Sequence, residues 1–175
     1  FQNTLPPKMV VDRNRTVHAF TTMPLSDDPN DSASLEYVVY YSQWTAAEGW
    51  SKPNDIFLSP LKRQARVQSV FMDKASIIHL VFFGGDELDA NIYYSWAPAA
   101  LAGQAGAWAR PEAIGFDAIT PDLAALTGDG EGRLAMVYSG NLGEGNSLYV
   151  VHSEDGGVTW TEPELIFSTY KLVEK

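Results

Sequence analysis

The sequence predicts an all-β chain made of three repeated units, each holding four short antiparallel strands. Three observations carry this. Trp-x-x-Pro recurs as Trp50-Ser51-Lys52-Pro53, Trp108-Ala109-Arg110-Pro111 and Trp160-Thr161-Glu162-Pro163, at intervals of about 50 to 60 residues, the range of a structural repeat. Ahead of each stands a strand-like run ending in Ser: Tyr40-Tyr41-Ser42, Tyr93-Tyr94-Ser95 and Val151-His152-Ser153. Aromatic residues make up 12% of the chain, and Gly and Pro are scattered throughout, a mixture that suits half-buried strands and frequent turns better than long helices.

Taken in order, each unit opens on a first run: Lys8–Val11, Val67–Met72 and Asp122–Leu126. A turn containing Asp follows, at Asp12-Arg13-Asn14, Asp73-Lys74-Ala75 and Asp129-Gly130-Glu131-Gly132, where a short acceptor side chain can close the backbone. The second run is Thr16–Phe20, Ile77–Phe83 or Arg133–Tyr138. The third ends in the Ser named above, and the fourth follows Trp-x-x-Pro. In the last unit the strands are expected at 122–127, 133–139, 147–153 and 163–167. Several runs are apolar throughout, as in strands covered on both faces. Residues 97–107 lengthen the turn between the third and fourth strands of the second unit, as a helical turn or a loop. Phe1, Phe57, Phe116 and Phe167 align at the ends of fourth strands, so Lys171–Lys175 read as the start of another first strand.

Four strands per unit of roughly 50 residues is the pattern of a β-propeller blade. One such sheet cannot cover its own two apolar faces, whereas neighbours stacked around an axis can. The expected blades span about 8–57, 66–116 and 121–167 of a single segment, 1–175. Propellers close with about four to eight blades, so three form an incomplete ring. Closure would take further blades or a second copy of the chain in a homo-oligomer.

Charge and composition narrow the partners. Twelve Lys and Arg against 22 Asp and Glu give a net charge of −10, which argues against nucleic acid and an anionic membrane surface. No apolar run approaches the roughly 20 residues of a spanning helix. The absence of Cys excludes disulfides, thiolate metal sites and Cys nucleophiles. Neither a close His pair for zinc, nor a Gly-x-Ser-x-Gly elbow, nor a Gly-rich phosphate loop is present. His18 and His79 share one place on the second strand and are expected to be packed, with both ring nitrogens satisfied.

Ser153-Glu154-Asp155-Gly156-Gly157-Val158-Thr159-Trp160 resembles the Asp-box, Ser-x-Asp-x-Gly-x-Thr-Trp, of neuraminidase-type (BNR) repeats. The first unit keeps Ser42, Gly49 and Trp50 of it, and the second Ser95 and Trp108. With the four-strand frame, the whole chain is similar to sialidase-like propellers. The residues themselves suit a hairpin clasp: Asp155 can accept turn N–H groups, Gly156 and Gly157 permit positive φ, and Trp160 can cover the hairpin. Ser153, Asp155, Gly157 and Trp160 are thus structural candidates. The resemblance implies a secreted or cell-surface protein, with this turn away from the ligand face.

The same resemblance places ligands at the loops between second and third strands and between units. The first set, 21–34, 84–91 and 139–146, carries Asp27, Asp28 and Asp31, then Asp86, Glu87 and Asp89, then Glu144. The second set carries Lys62, Arg63 and Arg66, and elsewhere Asp117 and Asp122. Arg63, Arg66, Asp86, Glu87 and Asp89 are the ligand-binding candidates. A sialic-acid hydrolase would need an Arg cluster gripping a carboxylate and a Tyr–carboxylate nucleophile pair. The family's Phe/Tyr-Arg-Ile-Pro element is absent, and no catalytic residue is assigned. Asp27, Asp28 and Asp31 offer oxygen ligands for calcium, the one cofactor to consider, or form an ordinary solvated loop. Trp44 and Trp96 either stack on sugar rings or pack on their hairpins. The expected function is an extracellular carbohydrate- or protein-interaction module without catalysis on this chain alone. The alternative is a portion of an exo-acting, sialidase-like glycoside hydrolase whose other catalytic residues lie on other blades.

Overall fold

The computed structural model describes residues 6–26, 28, 30–32, 36–57, 65–85, 91–114, 123–140 and 147–168. They form three antiparallel sheets. The first holds β1 (Lys8–Val11), β2 (Val17–Pro24), β3 (Tyr37–Thr45), β4 (Gly49–Trp50) and β5 (Asn54–Phe57). The second holds β6 (Ala65–Met72), β7 (Ile77–Gly84), β8 (Asn91–Pro98) and β9 (Glu112–Ala113). The third holds β10 (Ala124–Gly128), β11 (Leu134–Gly140), β12 (Ser147–Ser153) and β13 (Glu164–Ser168). In the first sheet β4 and β5 both pair with β3, so the fourth position is split and the sheet stays four strands wide. Each sheet is a meander, consistent with a partial β-propeller. Phe1, Phe116 and Lys171–Lys175 lie outside the described residues.

The hairpins joining the first two strands of each sheet share one mechanism. Asp12 Oδ1 accepts the N–H groups of Asn14 and Thr16, each at 2.8 Å. Asp73 Oδ1 accepts that of Ile77 at 2.8 Å. Asp129 Oδ1 accepts those of Glu131 at 2.7 Å and Arg133 at 3.2 Å. The third residue after each Asp has positive φ: Arg15 at 65°, Ser76 at 62° and Gly132 at 105°. The carboxylate holds the turn firmly enough for two non-glycine residues to adopt the left-handed region.

Packing explains the apolar runs. The second sheet is covered on both sides. Ile78, Leu80 and Phe82 face the first sheet, in one cluster with Phe20, Tyr41 and Phe57. Val81, Ile92 and Tyr94 face the third sheet, with Met136, Tyr138 and Val151. Strand β7 is therefore apolar at nearly every position. Strand β11, covered on one side, alternates between buried Leu134, Met136 and Tyr138 and half-buried Ala135, Val137 and Ser139. The uncovered face of the first sheet leaves Met9 at 56%, Val11 at 60% and Trp50 at 57% exposure. The third sheet exposes Leu148 and Phe167, cross-strand partners.

Backbone donors also cross between sheets. The Val67 N–H donates to Thr22 Oγ1 at 2.9 Å, and that of Leu126 to Ser69 Oγ at 3.0 Å. Of residues 97–107, Ala97 and Pro98 are the end of β8 rather than part of the turn, and the rest holds two short 3-10 turns, Ala99–Leu101 and Ala105–Ala107. These turns deliver Trp108 into the first interface. There it meets Phe57 edge-on at 5.1 Å and Phe20 at 5.8 Å between ring centroids, while its Nε1–H donates to the Ala102 carbonyl at 2.9 Å.

Candidate functional site

Of the ligand-binding candidates, Arg66 is described. It stands near the start of β6, with its guanidinium carbon 4.8 Å from the ring centroid of Tyr37, the first residue of β3. A cation of the second sheet thus rests on an aromatic ring of the first. Among the described residues no carboxylate is ion-paired with it. Arg63, Asp86, Glu87, Asp89 and Asp27 lie outside the described residues, as do Lys62, Asp117, Asp122 and Glu144. Asp28 serves its own turn, its Oδ1 accepting from Asn30 N at 2.9 Å and Asn30 Nδ2 at 3.2 Å, while the Asp31 N–H donates to the Asp28 carbonyl at 3.0 Å. Among the described residues, no group of three or more His, Asp or Glu side chains is placed to hold a metal ion.

The opposite ends of the sheets carry the Ser153–Trp160 turn. Asp155 Oδ1 accepts from Ser153 Oγ at 2.8 Å and from the Thr159 N–H at 2.9 Å, and Oδ2 from Thr159 Oγ1 at 2.6 Å. These bonds, the Thr159 hydroxyl first, hold its carboxyl down at about 2. Ser153 Oγ in turn accepts the Gly157 N–H at 2.8 Å. Both carboxylate oxygens are engaged within the turn. Gly156 and Gly157 have φ of 76° and 92°. The Trp160 ring reaches across to Tyr94 of the second sheet, edge-on at 5.3 Å.

Beside that contact, between the second and third sheets, lies a cleft of about 260 Å³ lined by Tyr94, Trp96, Arg110, Glu112, Gly157 and Val158 among others. Trp96 is 36% exposed there. Trp44 is half-buried and sits opposite Val17 and Trp50 in the first sheet.

The structure also brings together two polar clusters. In the first sheet His18 Nδ1 meets the Tyr41 hydroxyl at 2.8 Å, which approaches Gln43 Oε1 at 3.2 Å. In the second, His79 Nδ1 meets the Tyr94 hydroxyl at 2.7 Å, and Tyr94 donates to the Gly156 carbonyl at 2.8 Å. Both imidazoles are buried. Contrary to expectation, only one nitrogen of each ring is satisfied. Each Nε2 lacks a hydrogen bond and stands 3.6 Å from a carboxylate oxygen, of Asp12 or Asp73. Burial lowers both His pKa values below 6.5, and the neighbouring Asp opposes this. Burial, then Asp12, pushes Tyr41 up to about 12, and burial raises Tyr94 further. The signal was present in the sequence as an Asp six residues before a His in two units. The Tyr was invisible until strand register placed it. In the third sheet Ala135 and Val150 occupy the corresponding places.

No protein-family model and no curated protein matches the chain. Several solved structures do. A protein of unknown function from Dyadobacter fermentans is 15% identical, with a TM-score of 0.67, over 96% of this chain and 52% of that one. The Hadza microbial sialidase Hz136 is 15% identical, with a TM-score of 0.59, over 91% of this chain and 33% of that one. The catalytic domain of the Coprinopsis cinerea GH62 α-L-arabinofuranosidase is 17% identical, with a TM-score of 0.59, over 97% and 52%. The chain thus spans about half the length, or less, of these structures. Over nearly its whole length it shares a fold with a set of proteins that includes a sialidase and an arabinofuranosidase.

Proposed function

We propose that the chain is a carbohydrate-interacting part of an extracellular β-propeller, without catalysis on these residues alone. The observation that carries this is Arg66 seated on Tyr37. The contact holds the guanidinium over the ring, and its N–H groups can serve a carboxylate or a pair of hydroxyls. The position joins two sheets. The Ser153–Trp160 turn supports assignment to the Asp-box propellers. The exposed Met9, Val11 and Trp50 support covering of the first sheet by another blade or a second copy.

Titration of sialyllactose and of arabino-oligosaccharides by saturation-transfer NMR, on wild type and Arg66→Ala, tests the reading. Binding should weaken about tenfold or more in the variant, the scale of a lost charge-assisted hydrogen bond. Equal binding by both, or none by wild type, would defeat it. A second reading, part of an exo-acting glycoside hydrolase, draws on the fold shared with a sialidase and an arabinofuranosidase. Release of a fluorogenic aglycone from a sialoside or arabinofuranoside by this chain would favour it.

A further inference from the structure

The chain of hydrogen bonds from His79 through Tyr94 to Gly156 has a direction. A carbonyl oxygen can only accept, so the hydroxyl hydrogen of Tyr94 is committed to Gly156, 2.8 Å away. His79 Nδ1, 2.7 Å from the same hydroxyl oxygen, must then donate to it. A neutral ring carrying its proton on Nδ1 presents a lone pair at Nε2. That lone pair faces Asp73 Oδ2 at 3.6 Å, in a site where Nε2 has no other partner. The opposite tautomer would point an N–H at Asp73, but it would require one hydroxyl hydrogen to serve both Nδ1 and the carbonyl.

We propose that His79 is fixed as the Nδ1–H tautomer and, through Tyr94, ties the second sheet to the Gly156 turn of the third, and that acid adds a proton at Nε2 without breaking this tie. Protonation converts the lone-pair contact with Asp73 into an ion pair and leaves Nδ1 donating as before. The device is pH-sensitive in charge but not in connectivity. The charged and titratable groups around it are few. Asp73 lies on the turn before β7. Asp155 from the third sheet and Glu112 from β9 act on Tyr94 together with Asp73, and all three favour its protonated form. The rings of Phe71 and Trp160 contribute no charge. Lys74 is held by Glu131 at 2.6 Å.

The first sheet supplies a built-in comparison. There Tyr41 ends on the Gln43 side-chain amide, which can turn either its oxygen or its nitrogen to the hydroxyl. The tautomer of His18 is therefore not dictated, and among the described residues its cluster reaches no other sheet through a side-chain bond. In the third sheet the His and Tyr positions are Ala135 and Val150, so the interlock exists once among the described sheets.

Nitrogen-15 NMR of the intact chain at pH 8 reads the tautomer directly. His79 should show a protonated Nδ1 and a bare Nε2, and when acid protonates the ring the new proton should appear on Nε2 with Nδ1 still protonated. A ring protonated on Nε2 at pH 8, or an even mixture, overturns the proposal. Tyr94→Phe should speed amide exchange at Gly157 and Thr159 about tenfold, the effect of one net hydrogen bond, whereas Tyr41→Phe should leave those amides unchanged. Unchanged exchange in folded Tyr94→Phe also overturns it. If that variant does not fold, the tautomer of the wild-type ring decides.

Discussion

Gly157 of the third sheet lies directly against the Tyr94 hydroxyl of the second, so that a Cβ at this position would overlap the phenol. Its φ of 92° independently demands glycine. A turn that closes its own hairpin is thereby also the contact surface between two sheets. Gly157→Ala should destabilise the fold by about 2–4 kcal/mol from strain and overpacking together. Gly156→Ala, with positive φ but open space around it, should cost about 1 kcal/mol. Urea unfolding of the two variants measures the difference.

The Trp-x-x-Pro repeat makes three tryptophans alike in sequence but not in energy. Trp108 is buried between Phe20 and Phe57. Trp108→Ala should lose about 3–5 kcal/mol. Trp50 is 57% exposed, and in the isolated chain Trp50→Ala should change stability by no more than about 0.5 kcal/mol. Equal losses in denaturant unfolding would mean that the first sheet's outer face is covered in solution.

Acid should act on stability in two stages. His18 and His79 have folded pKa values below the 6.5 of an unperturbed ring. Their contribution is intact above 6.5 and declines as pH falls below it, because the unfolded chain binds protons first. Asp129 and Asp155, held at about 2 against 3.8, contribute above about 3.8 and lose that contribution between 3.8 and 2. Asp155→Asn should flatten the second stage and leave the first unaltered. Thermal melts across pH 2 to 8 separate the two.

Thr22 offers a test of contacts between sheets. Its hydroxyl accepts the Val67 N–H at 2.9 Å in a buried position. Thr22→Val keeps the shape but leaves that donor unpaired, at a cost of about 1–3 kcal/mol. Amide exchange at Val67 should accelerate with it, while exchange within the third sheet stays the same.

Local chemistry made much of the architecture legible. Asp12, Asp73 and Asp129 marked three hairpins because a carboxylate that accepts turn N–H groups is a local device, set by residues a few positions apart. Lys8–Val11 coincides with β1, and Ile77–Phe83 differs from β7 only by Gly84. The bonds among Ser153, Asp155 and Thr159 are local in the same sense, whereas the contact of Trp160 with Tyr94 is not. The resemblance nominates Arg66 as a residue of a loop between units; it stands instead within β6, and its seat on Tyr37 could not be read because that ring belongs to another sheet.

What the sequence by itself determined is the repeat: where strands begin and turn, and which side chains close those turns. Tertiary structure decided what each repeated residue does. Trp50 faces outward while Trp108 fills an interface, because one sheet has an uncovered face and an inserted pair of 3-10 turns steers the other tryptophan inward. His18 and His79 share a strand position, yet only His79 is tied through Tyr94 to another sheet. Strand periodicity records whether a position is buried, but not against what. That second fact depends on which sheet stacks on which, and it exists only once distant segments are packed together.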